Sequence, residues 1–82
     1  MLSGADRKAK YKGIEDLRKR RIANLQTLVD AHDSQAAFAR LYGCNESFIS
    51  QILSGARNIG EVLARDIEVK FGMPCGWLDI RR

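Results

Sequence analysis

The sequence contains no run of apolar residues near the roughly 18–20 needed to cross a bilayer. Its N-terminal stretch, Asp6 to Lys12, is charged where a signal peptide would be apolar. Both absences predict a cytoplasmic protein with no membrane partner. Cysteine is scarce: Cys44 and Cys75 stand far apart, and His32 is the single histidine. That set is too thin for a zinc framework and holds no CxxC pair, so no metal and no cofactor are expected. The two thiols read as reduced, buried or half-buried side chains. No stretch alternates apolar and polar residues long enough to be a strand, and internal repeats and low-complexity segments are absent.

What is present is an 82-residue chain, 45% hydrophobic and 29% charged, the balance of one domain with a modest core. A chain this short has little wall with which to enclose a deep pocket, so a binding module is expected rather than a protein with a small-molecule substrate. The net charge of +4 is unevenly spread. Residues 1–21 carry eight basic against three acidic side chains, whereas residues 22–82 carry six against seven. Such a surplus suits a phosphate backbone or an anionic membrane, although a charge cluster alone is usually a solvated face.

Residues 1–12 are small and charged with no apolar period, which predicts a flexible basic arm ahead of one domain over 13–82. From Ile14, the apolar residues Leu17, Ile22, Leu25, Leu28 and Val29 trace one stripe of a long helix ending near His32. His32 then reads as a helix C-terminal residue favoured by the dipole, not as a ligand or base. Ser34 can cap a second helix at about 35–42, stopped by Gly43, and Asn45 can cap a third at about 46–53, closed by Ser54-Gly55. Ile59, Val62, Leu63, Ile67 and Phe71 give a fourth helical stripe, ended by Gly72 and Pro74. Trp77 and Leu78 should fold back as a fifth short helix or a packed tail, and they read either as a dimer contact or, the favoured reading, as the lid of the core. The fold class expected is all-α, a compact bundle of four to five short helices.

Two short helices joined by a tight turn cross steeply, and that requires a small residue at the approach and apolar residues facing the core. Ala39 and Gly43 supply the first need. Phe38, Cys44, Ile49 and Ile52 supply the second, leaving Glu46, Ser47, Ser50 and Gln51 on the solvent side of the third helix. This is the pattern of a helix-turn-helix, in which such a polar strip enters the major groove.

The run Gln35-Ala36-Ala37-Phe38-Ala39-Arg40-Leu41-Tyr42-Gly43-Cys44-Asn45-Glu46-Ser47-Phe48-Ile49-Ser50-Gln51-Ile52-Leu53-Ser54-Gly55 resembles the lambda-repressor-like, Cro and Xre class of helix-turn-helix proteins. Arg57-Asn58-Ile59-Gly60-Glu61, Leu63-Ala64-Arg65, Gly72-Met73-Pro74 and Gly76-Trp77-Leu78-Asp79 are similar to the remainder of a phage-repressor domain, so the resemblance spans about Leu17 to Asp79. It implies that Gln35 clasps a phosphate at a helix N-terminus. It also implies that Asn45, Glu46, Ser47 and Gln51 contact bases, with Gln51 suited to adenine N6 and N7. Ser50, Arg57 and Asn58 fall to the phosphate backbone. Glu46 departs from the neutral residue of many relatives: either it accepts from a cytosine N4 amine, or it merely favours the helix N-terminus. Phe48 reads as partly buried against the second helix. Of Arg18-Lys19-Arg20-Arg21, which wrap more than a full turn of helix, one or two can reach DNA.

The resemblance therefore implies a transcriptional regulator, a phage or prophage repressor in a bacterial or phage-infected cell, binding a double-stranded palindromic operator as a homodimer. An alternative is a protein-interaction module such as the antitoxin of a toxin–antitoxin pair. An enzyme is not expected, because no nucleophile, base and orienting group can be assembled from these residues.

Overall fold

A computed structural model of the chain describes the backbone over residues 4–80 and side chains over 16–80. Four α-helices and one short 3-10 helix follow in order: α1 (Gly4–Asp30), α2 (Gln35–Tyr42), α3 (Glu46–Leu53), α4 (Glu61–Lys70) and η1 (Trp77–Asp79). Among the described residues there is no strand. The protein is all-helical and compact, with one core of Leu25, Leu28, Val29, Phe38, Ala39, Ile49, Ile52, Ile59, Ala64, Ile67 and Leu78.

α1 begins at Gly4, so the backbone of residues 4–12, read in sequence as an arm, forms the first turns of that helix. Ala, Arg and Lys are good helix formers, and once a helix is nucleated each further residue adds a bond, so no apolar period is needed there. Downstream, Leu25, Leu28 and Val29 are buried as their spacing predicts, and His32 closes the helix with Nδ1 donating to Leu28 O at 2.8 Å. Its ring meets Phe38 and Phe71 edge-on at 5.2 and 5.4 Å, and those two phenyl rings stack at 4.4 Å.

The α2-to-α3 connection is determined residue by residue. Ser34 accepts the Ala37 N–H at 3.0 Å and so starts α2. Gly43, at φ 96°, ends it with its N–H on Ala39 O at 2.9 Å. A side chain rarely adopts that left-handed conformation, which is why the turn needs glycine. Asn45 then accepts the Phe48 N–H at 2.9 Å and starts α3 two residues later.

One expectation about α4 is corrected. Val62 was placed on the inward stripe of the fourth helix, but it is 85% exposed; α4 starts at Glu61 and turns Ala64, Ile67 and Glu68 inward instead, while Ile59 is buried from the loop before it. Of the cluster Arg18-Lys19-Arg20-Arg21, of which one or two residues were expected to reach DNA, Arg21 is buried. Its guanidinium donates to Asp79 Oδ1 at 2.6 Å, to Glu61 Oε2 at 2.9 Å and to Ile59 O at 3.0 Å.

Arg21 belongs to a polar clasp that holds the C-terminal segment on the core. Asn24 Nδ2 donates to Leu78 O at 2.8 Å and Ile80 O at 2.7 Å. Buried Glu68 accepts the Gly76 N–H at 2.9 Å and the Leu78 N–H at 2.8 Å. Arg65 lies between Glu61, Glu68 and Asp79, at 3.1, 2.8 and 3.1 Å. The Arg65 Nε contact with Glu68 is an ion pair too poorly aligned to be a hydrogen bond. Hydrogen bonding to Arg21 holds the Asp79 carboxyl below its ordinary range against the opposing effect of burial, and Arg65 adds to the lowering. The clasp seats Leu78 in the core and Trp77 against it, the lid position predicted for that pair.

Candidate nucleic-acid interface

α3 buries Ile49 and Ile52 and leaves Glu46, Ser47, Ser50 and Gln51 exposed. At about 100° per residue those four fall in one sector, in the order Glu46, Ser50, Ser47, Gln51 around the axis. Phe48 and Leu53 are half-buried on the two flanks of the sector. The free faces of the strip are hydroxyls, an amide and one carboxylate, groups that donate to and accept from base edges.

The flanking residues are held by local chemistry. Asn45 is exposed, but its Oδ1 is occupied by the Phe48 N–H, so the side chain opens the helix and presents only its remaining amide edge to solvent. Gln35 is half-buried as the first residue of α2, in the turn whose amides are left without helical partners. After α3, Gly55 at φ 86° reverses the chain, and the Arg57 N–H returns to Gln51 O at 3.1 Å. That reversal brings Arg57 Nε within 3.2 Å of Gln51 Oε1 and sets its guanidinium 5.1 Å from the centre of the Phe48 ring. Asn58 follows, exposed.

The structure thus places Glu46, Ser47, Ser50 and Gln51 on the exposed face of α3, with Asn45 at its start and Arg57 bonded to Gln51. Sequence reasoning missed the Gln51–Arg57 bond and the use of Phe48 as a seat for Arg57. The available signal was the Ser54-Gly55 stop: a left-handed glycine after a helix folds the next residues back over its last turn. Arg18 and Lys19 are exposed on α1, whereas the side chains of Arg7, Lys8, Lys10 and Lys12 lie outside the described residues.

Among the described residues no group of three His, Cys, Asp or Glu side chains is placed to hold a metal ion, and no helix is long and apolar enough to cross a membrane. Cys44 is half-buried against the core, and burial pushes its thiol up from its usual value, while Cys75 is exposed, contrary to the buried or half-buried reading. Comparison with family models, with curated proteins and with solved structures gives no match to this chain.

Proposed function

We propose that this chain is a sequence-specific DNA-binding regulator of the helix-turn-helix class, of the lambda-repressor, Cro and Xre kind, and that it represses transcription by occupying an operator. The observation that carries the reading is the division of α3: two isoleucines fix it to the core, and the opposite sector is a continuous row of short hydrogen-bonding side chains. A helix whose only exposed groups are base-sized donors and acceptors, capped at a short turn and followed by a cation, matches the requirements of the major groove.

In this reading Ser47 and Gln51 meet base edges, with Glu46 and Asn45 at the helix start. Gln51 Oε1 has two lone pairs, so it can keep the Arg57 bond and still accept from adenine N6 while Nε2 donates to N7. Gln35, at the N-terminus of α2, together with Ser50, Arg57 and Asn58, addresses phosphates and fixes register. One domain of this size contacts few base pairs, so two copies on half-sites about one DNA turn apart supply the affinity and specificity that one lacks.

The test is selection from a randomised duplex pool at fixed salt. A palindrome with half-sites about one helical turn apart is expected. A pool that stays random through successive rounds would refute sequence-specific binding, and cytosine enrichment lost in Glu46→Gln would assign Glu46 to a base.

A further inference from the structure

Residues 54–60 join α3 to α4 and carry Arg57 and Asn58, two of the phosphate ligands of the reading above. The start of this loop is tied to α3, by the Gly55 N–H on Ile52 O and the Arg57 N–H on Gln51 O, both at 3.1 Å. The far end is held differently. α4 opens at Gly60, which has no side chain with which to cap it. The bonds there come from α1: Arg21 donates from Nη1 to Ile59 O at 3.0 Å and from Nη2 to Glu61 Oε2 at 2.9 Å, one acceptor on each side of Gly60.

Arg21 is itself aimed. Asp79 takes Nε at 2.6 Å and Nη2 at 3.2 Å, a two-point grip that fixes the guanidinium plane and leaves Nη1 on the loop. Seating η1 does not require that third direction, because Asn24 and Glu68 already bond the Leu78 and Ile80 carbonyls and the Gly76 and Leu78 amides. Ile59 is also anchored by its buried side chain, but apolar burial is non-directional. The bond to its carbonyl fixes a peptide plane, and so the path of the two residues before it.

We propose that Arg21 is the positioning residue for the phosphate contacts of Arg57 and Asn58. It is buried and out of reach of a duplex, and it acts by holding the loop in its binding conformation. A loop already fixed loses little freedom when DNA arrives, and its cation stays in register with Gln51, to which it is bonded. This inference rests on the DNA-binding reading and adds to it a residue that touches no DNA.

The test begins without DNA. In the free wild type, backbone order parameters over residues 56–60 are expected at the rigid level of about 0.85; values under about 0.6 would show a loop that nothing holds and overturn the proposal. Arg21→Lys keeps the charge but offers one nitrogen in place of three, which stays with the two carboxylates and releases the neutral Ile59 carbonyl. Residues 57–59 should loosen in this variant while α2 and α3 stay rigid. Glu68→Gln is the control: it weakens the same clasp, yet Glu68 bonds Gly76, Leu78 and Arg65 rather than the loop.

Both variants are then titrated with a selected duplex, at a temperature where urea unfolding shows them folded. Arg57→Ala is expected to lower the salt slope by about one unit in wild type and in Glu68→Gln, but to change it little in Arg21→Lys, whose slope is already lower. Equal effects of Arg57→Ala in all three backgrounds would overturn the proposal by making Arg21 a structural residue only. A pool from which no duplex is selected would instead refute the DNA-binding reading, and the order parameters of Arg21→Lys would still decide whether Arg21 holds the loop.

Discussion

Two groups of polar side chains divide this small protein between them. In the clasp, Arg21, Asn24, Glu68 and Asp79 are buried or half-buried and satisfied by one another and by backbone atoms. On α3, Glu46, Ser47, Ser50 and Gln51 are exposed, and Gln51 holds the exposed Arg57 by a bond of 3.2 Å. The same residue chemistry serves opposite ends. Polar groups withdrawn from water must be paired, which makes them structural; polar groups left in water exchange partners at little cost, which makes them available for recognition.

Removing a clasp member should therefore harm the fold. Glu68→Ala leaves the Gly76 and Leu78 amides without their acceptor and Arg65 short of a counter-charge, and a loss of about 3–5 kcal/mol is expected in urea unfolding. A change under 1 kcal/mol would mean that water replaces the carboxylate and that the clasp is ornamental.

The converse is expected on α3. Gln51→Ala should leave the melting temperature unchanged but cost about 1–3 kcal/mol of binding free energy at one base pair, as read by competition among operator variants. Equal loss on every variant would make Gln51 a backbone contact instead. Arg57→Ala is expected to give that uniform loss and to lower the salt dependence of binding by about one unit of slope.

Between these extremes stands Ser34→Ala, which touches neither group. Losing the cap of α2 should cost about 1 kcal/mol of stability, seen as a lowered melting midpoint, with sequence preference intact.

The smallest effect is in acid. The folded Asp79 carboxyl lies below the ordinary aspartate value near 3.8, first because of its hydrogen bond to Arg21. Its contribution to stability is present above that ordinary value and is lost as pH falls through the lower, folded one. Wild type should thus lose stability in that window more steeply than Asp79→Asn; identical slopes would remove Asp79 from the account.

How much of this was legible in the sequence follows the same division. The bounds of α2 and α3 were readable because Ser34, Gly43 and Asn45 act within three or four residues along the chain, and their bonds are local. The exposed strip was readable because helical periodicity decides it once Ile49 and Ile52 are taken as core. The α1 half of the clasp was not readable: the bonds of Arg21 and Asn24 join residues 38 to 58 positions apart, and the two look like polar interruptions of an apolar stripe until η1 is seen beside them. Val62 failed for a related reason. Spacing from Ile59 ran a single stripe through a loop, and α4 begins only after that loop, with a different face inward.

The proposed reading surface is α3, and amide chemical shifts recorded while a selected duplex is added test it most directly. Shifts and intermolecular contacts confined to Gln35, Asn45 to Gln51, Arg57 and Asn58, with the clasp residues unmoved, are the predicted result. Contacts centred on another face, with the amides of α3 unchanged, would contradict it.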